Sequence, residues 1–256
     1  MNILKRSLRS AASWYSVPLA FVVWQLVAMS GVVSPRVLPS LDLVLTALVQ
    51  DVLSGDLLYH AGITIYRVLI GFAIGSAAGV LIGFVLARLR WFEFLFEPVF
   101  FAGYPVPKIA LFPIFTFIFG IGTPSKIAFA ALECLYPVVV ATHLATRGTA
   151  REIVWAGQNM GLRGWTLLRH VLIPAALPGI MGGLRIALPI GITVVVVTEM
   201  IGDTHGLGFY VGYAGTSFRS DKLYAGIVMI GLVGLALDLL QTAVRRRILR
   251  WADLQK

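Results

Sequence analysis

From Val68 to Ala87 the chain carries no charged side chain. A run of that length matches the roughly 20 residues an α-helix needs to cross the hydrocarbon of a bilayer. In that medium every backbone N–H and C=O must be paired inside the segment, so a helix is the natural solution for an isolated span. The pattern recurs along the chain and predicts six spans, at about Trp14–Val33, Gly62–Ala87, Pro98–Phe119, Ser125–Ala145, Ala176–Met200 and Leu223–Val244. Only 13% of residues are charged, against roughly 25% in soluble domains, and mean hydropathy is +0.87. The expected fold is all-α, a polytopic transmembrane helical bundle of about six spans. Residues 10–35 are uncharged, too long for a typical signal-peptide core and without a clear A-x-A-like cleavage site, and read as a retained first span.

The net charge of +9 is organised by position. Lys5, Arg6 and Arg9 precede the first span, Arg88 and Arg90 follow the second, and Arg147, Arg151, Arg163 and Arg169 fill the central loop. Arg245, Arg246, Arg247, Arg250 and Lys256 close the chain, whereas Arg36, Lys126, Arg219 and Lys222 fall on the other side. The positive-inside rule then places both termini and the loop Thr146–Ala175 in the cytoplasm, and it accounts for the charge without nucleic acid. Between the first two spans, Ser40–Ser54 has Leu41, Val44, Leu45, Leu48, Val49 and Val52 at helical spacing. It is too short and polar to span and reads as an external surface helix with Ser40 as candidate cap.

Within the second span Gly71, Gly75, Gly79 and Gly83 form a strict four-residue repeat, a groove in which another helix can approach closely, within the subunit or across a dimer. The third span holds Pro98, Pro105, Pro107 and Pro113. Proline removes a backbone donor and kinks a helix, and such backbone is tolerated where it is buried in protein or lines a wet cavity. Pro107 and Pro113 are therefore candidate pathway residues. Glu133, Arg185, Glu199 and Asp238 interrupt apolar blocks and must face protein or water. Glu199, near the outer end of the fifth span, is read either as a pathway or gate residue or as a hydrogen-bonding tie to a neighbouring helix. The lone Cys134 excludes an internal disulfide, no Cys/His cluster offers a metal site, and His60, His143, His170 and His205 are scattered. No G-x-x-x-x-G-K-[ST] is present, so the chain is not expected to cradle ATP itself, and no cofactor is expected.

The central loop reads as a short helix, a glycine turn, a second helix and a proline stop: Trp155-Ala156-Gly157, then Gly161, then Val171-Leu172-Ile173-Pro174. Gly161 is expected to end the first helix in a left-handed conformation, and Pro174 and Pro178 to fix the return into the membrane. This loop resembles that of the inner-membrane permease subunits of binding-protein-dependent ABC importers of the type I class. Their pattern is E-A-A, three residues, Gly, nine residues, I-x-L-P, and the spacing here is the same. Val171 and Ile173 are conservative replacements. Trp155 stands where the family has Glu and Gly157 where it has Ala, and Glu152, three residues earlier on roughly the same helical face, is a candidate substitute for the missing acid. The segments Leu38-Pro39-Ser40, Thr64-Ile65-Tyr66-Arg67, Thr198-Glu199-Met200, Gly206-Leu207-Gly208 and Arg250-Trp251 are similar to the branch that imports nitrate, aliphatic sulfonates and taurine.

The resemblance implies the type I permease fold in a bacterial inner membrane, divided as residues 1–34 (tail and first span), 35–61 (periplasmic segment) and 62–256 (core). It implies a homodimer surrounded by lipid, two ABC ATPase subunits that bind ATP, and a soluble substrate-binding protein. The loop residues Glu152, Trp155, Ala156, Gly157, Gly161, Val171 and Pro174 would form the coupling helix that docks on the ATPase, and the permease itself would be no enzyme. An ion-coupled secondary transporter would call for paired midplane carboxylates or inverted repeats, and an intramembrane enzyme for clustered nucleophile, base or metal ligands. Neither pattern is found. The solute is not legible from the residues.

Overall fold

The computed structural model describes residues 15–103 and 107–251. Lys5, Arg6, Arg9, Pro105 and Lys256 lie outside them. All regular elements among the described residues are helical: α1 (Ser16–Met29), α2 (Leu41–Leu53), α3 (Asp56–Arg88), α4 (Arg90–Gly103), a 3-10 turn (Lys108–Leu111), α5 (Phe112–Phe119), α6 (Thr123–Arg147), α7 (Arg151–Asn159), α8 (Gly164–Met200), α9 (Leu207–Thr216) and α10 (Ser220–Ile248). Four of these, α3, α6, α8 and α10, are long and apolar enough to cross a membrane.

The first and third predicted spans are occupied by shorter apolar helices, Pro18–Met29 and Lys108–Phe119. In the third block Pro98 lies inside α4, whereas Pro107 and Pro113 sit at element starts. Pro107 precedes the 3-10 turn with φ −70° and ψ 83°, and Pro113 lies in the first turn of α5, where an absent N–H removes no intrahelical bond. Expected as kinks within a span, both are exposed residues that begin new turns.

The chain forms two compact units, Met1–Tyr59 with Tyr210–Met229 and His60–Phe209 with Ile230–Lys256. In the first unit Trp24 Nε1 donates to the Pro39 carbonyl at 2.9 Å, and the ring packs edge-on to Tyr224 with centroids 4.8 Å apart. Ser40 holds the N-cap position of α2 in extended backbone, but its side chain makes no cap bond. The Gln25 Oε1 accepts the Leu41 N–H instead, at 2.9 Å, so an orphan donor of α2 is satisfied from α1. The buried face of α2 is Val44, Ala47 and Asp51. Asp51 is tied by Lys222 Nζ at 2.9 Å and by the Tyr210 hydroxyl.

In the second unit α6 is gripped on two sides by small residues. Gly71, Gly75, Gly79 and Gly83 of α3 all meet α6 of the same chain. A Cβ at Gly71 would stand 2.7 Å from Ala130 Cβ, at Gly79 2.8 Å from Val138 Cβ and at Gly83 2.6 Å from Thr142 Cβ, while at Gly75 it would overlap the Ala131 carbonyl. From α8, Gly179, Gly183 and Gly191 approach Ala145, Ala141 and Cys134 in the same way. Between the seams lie two apolar clusters, Phe84–Ala176–Ile180 and Cys134–Val138–Ala187. Dispersion at this range is what association in lipid relies on, because burial from water contributes nothing there.

Candidate functional site: the α7–α8 turn and the buried end of α8

Two features stand at opposite ends of α8. At its start is the turn predicted from the loop spacing. Helix α7 closes with the Leu162 N–H donating to the Gly157 carbonyl at 3.0 Å and the Gly161 N–H to the Gln158 carbonyl at 2.9 Å, the double bond pattern of a Schellman motif. Gly161 sits between them at φ +84°, where a side chain costs roughly 1–2 kcal/mol. A Cβ there would meet nothing within 4 Å, so its open side faces outward. Arg163 is extended and its N–H donates to the Thr166 hydroxyl at 3.1 Å, which starts α8.

Gly157 is buried. A Cβ there would lie 2.9 Å from Val171 Cγ2 and 3.0 Å from Leu167 Cδ1, so the departure from alanine has a local cause. The turn is clamped by packing between α7 and α8. Val171 lies in a π-helical turn, Leu168–Leu172. The expected proline stop at Pro174 is not an end: α8 runs on through Pro174 and Pro178. A proline deprives the carbonyl four residues back of its partner and crowds it, and the widened π turn falls where Pro174 would do so. Around this scaffold Trp155 is 56% exposed, Met160 82% and Trp165 69%. Glu152 and Ala156 are exposed too. Large apolar side chains this exposed make the turn the candidate interaction face.

At the far end, Glu199 is fully buried. Thr64 Oγ1 donates to its carboxylate at 2.8 Å, Arg67 Nη1 at 2.9 Å and the Gly208 N–H at 3.0 Å. Arg67 also reaches Asp203 Oδ2 at 2.7 Å, the His205 carbonyl at 3.1 Å and the Thr123 hydroxyl from Nε and Nη2. Lys126, likewise buried, pairs with Asp203 Oδ2 at 2.9 Å. Two bases and two acids thus balance in a site where an unpaired charge would be costly. The turn between α8 and α9 closes over it. Its Gly206 has φ +106°, where a Cβ would overlap the Glu199 carboxylate, and its N–H donates to His60 Nδ1 at 3.0 Å. The partners of Glu199 come from α3 and α9, whereas Pro107 and Pro113 stand exposed about the 3-10 turn and α5.

Arg67, Lys126 and Asp203 were not singled out by sequence reasoning. The signal was there: opposite charges at the ends of three spans, which only pair once the helices are arranged. The other intramembrane charges are held more loosely. Arg185 Nε lies 4.0 Å from Asp238 Oδ1, and Lys108 Nζ lies 3.9 Å from Glu133 and 4.6 Å from the Tyr136 ring centre.

Burial works to raise the Asp203 pKa, but the hydrogen bonds from Lys126 and the Thr204 N–H and the charges of Arg67 and Lys126 outweigh it and hold the carboxyl below its ordinary 3.8. A lowered folded pKa means that the ionised group stabilises the fold above the ordinary value and that this stabilisation is lost as pH falls from there through the lower folded value. Asp203→Asn is therefore expected to flatten the acid limb of a thermal-unfolding profile between about pH 5 and 3. An acid limb identical to that of the wild type would contradict it.

A capped turn with an open outer side thus leads into a helix long enough to cross a bilayer. Known sequences supply the family. SsuC of Escherichia coli strain K12, named for aliphatic sulfonates transport, is 34% identical over 97% of this chain and 94% of its own. The riboflavin transport system permease protein RibX of Chloroflexus aurantiacus is 33% identical over 91% of this chain and 87% of its own. In fold, an amino acid ABC transporter crystallised with histidines superposes at a TM-score of 0.62, with 13% identity, over 79% of this chain and 97% of that one. The pattern defining the binding-protein-dependent transport system inner membrane component family matches residues 75–250, and the chain, a multi-pass membrane protein of that fold, belongs to this family.

Proposed function

We propose that the chain is the permease subunit of an ATP-driven importer, and that the turn from Glu152 to Pro174 is where the ATPase docks. Two copies of the chain form the translocation pathway, two ATPase subunits grip the two turns from the cytoplasm, and a soluble binding protein delivers a small solute from outside. The observation that carries this reading is the Schellman-capped turn at Gly161, flanked by exposed Trp155, Met160 and Trp165. Without a phosphate-cradling motif of its own, the chain depends on that contact for energy and carries out no bond chemistry. The relatives' names cover both an aliphatic sulfonate and riboflavin. A small sulfonate or related organic compound is the first solute to screen, with choice between solutes left largely to the binding protein.

ATP-driven closure of the ATPase pair draws the two turns together, and α8 passes the displacement to the buried end at Glu199. In this reading Glu199 anchors the outer turn Gly202–Gly208 and does not itself touch solute. Glu152, exposed and three residues from Trp155, supplies the acidic contact with the ATPase that Trp155 cannot.

Replacement of Gly161 by valine tests the reading. The side chain projects into open space, so the loss of fold stability is expected to be only about 1–2 kcal/mol. Solute-coupled ATP hydrolysis of the complex, co-purified with its ATPase, is expected to fall at least about tenfold, the effect of roughly 1.4 kcal/mol on docking. Full coupling in a folded Gly161→Val complex would remove the turn from the mechanism.

A further inference from the structure

Beside the turn, and sharing Trp155 and Leu172 with it, lies a basic basin. It is a cavity of about 360 Å³ lined by Arg88, Arg147, Arg151, Thr149, Trp155 and Leu172, among others. Arg88 is in the last turn of α3 and Arg147 in the last turn of α6. The basin therefore sits where two helices long enough to cross a bilayer end side by side. Glu93 reaches Arg147, and three guanidinium groups against one carboxylate leave the basin positive. Arg151 opens α7, a nine-residue helix whose first turn has no side-chain cap, so its orphan N–H groups favour an anion, while Arg88 and Arg147 offset the C-terminal dipoles of α3 and α6 and Glu152 stands in the same turn as Arg151. Guanidinium presents a fork that matches phosphate oxygens in pairs, Thr149 contributes a hydroxyl, and Leu172 gives an apolar wall.

We propose that this basin binds a phosphate group, with Arg88 and Arg151 as its main ligands and Arg147 at its side. Two sources share that chemistry, the headgroup of an anionic phospholipid and free phosphate. The position at the helix ends favours the lipid. A bound phosphate would join the ends of α3 and α6 to the start of α7 and so seat Trp155 and the turn. The inference concerns binding alone and stands or fails apart from the ATPase reading.

The full-length protein would be reconstituted in nanodiscs of phosphatidylcholine, of equal parts phosphatidylcholine and phosphatidylglycerol, and of phosphatidylcholine with added inorganic phosphate. Its unfolding temperature and the lipid retained in native mass spectrometry would be followed. The wild type is expected to gain stability with phosphatidylglycerol and to keep that lipid. Arg88→Gln/Arg151→Gln is expected to lose the gain and to retain on the order of tenfold less lipid, as the loss of charge-assisted bonds implies. Arg163→Gln/Arg169→Gln removes the same charge from exposed positions of the same loop and is expected to behave as the wild type. Arg151→Gln alone, on the short helix α7, serves if the double variant does not fold and is expected to lose most of the gain. A gain with inorganic phosphate, lost in the same variants, would support the site and make free phosphate its source. The proposal is overturned if the wild type gains in neither arm, or if the basin variants gain as much as the wild type.

Discussion

Replacing Arg67 with glutamine is expected to destabilise the folded protein by about 3–5 kcal/mol, the range for removing one partner of a buried ion pair. Arg67 is 3% exposed, and its guanidinium serves Glu199, Asp203, the His205 carbonyl and the Thr123 hydroxyl at once. Glutamine cannot replace the charge, and two buried carboxylates would be left with Lys126 as the remaining base in the network. Lysine is expected to restore only part of the loss, because a point charge cannot fork among four acceptors. The double variant Arg67→Gln/Glu199→Gln is expected to lose less than the two single variants combined, by 1 kcal/mol or more, as contacting partners in one network do. Thermal unfolding in detergent checks each expectation. A single-variant loss below about 1 kcal/mol, the level of an exposed pair, would mean that water reaches the network.

The second large effect is expected at Gly75. A Cβ there overlaps the backbone carbonyl of Ala131, which no rotamer change relieves. Gly75→Val is expected to cost at least about 3 kcal/mol, the upper part of the overpacking range, or to give protein that does not survive purification. Gly62 lies in the same helix with nothing within 4 Å of a Cβ. Gly62→Val is expected to change stability by no more than about 0.5 kcal/mol. Equal tolerance at both positions would mean that α3 and α6 are not in contact along this seam.

Elements governed by local pattern were legible in the sequence. The uncharged run before Ala87 became α3, the apolar blocks around Cys134, Leu188 and Gly231 became α6, α8 and α10, and the spacing around Gly161 became a capped turn. What escaped was set by partners distant in the chain. Prolines 107 and 113 are consistent with a kinked span or with two short turns, and only the surrounding packing decides. Pro174 read as a stop because proline ends isolated helices, but a π turn lets α8 continue. The four-residue glycine period revealed a packing face without naming the helix against it. Arg67 and Lys126 looked like ordinary charges near span boundaries and Asp203 drew no reading, since pairing across 56 to 138 residues leaves no mark at short range.

The unbroken course of α8 has a mechanical consequence. At 1.5 Å per residue, its 37 residues have a contour length of about 55 Å, nearly twice the thickness of the hydrocarbon. Where α8 moves as one body, a tilt of about 10° around its centre carries each tip by about 5 Å, simple leverage at that length. Such a swing at the Gly164 tip is small for a grip between proteins. At the Met200 tip it exceeds the reach of every hydrogen bond to Glu199, whose lengths are 2.8 to 3.0 Å. In the proposed transport cycle, a modest displacement at one end of α8 would then be enough, geometrically, to unfasten the closed polar knot at the other.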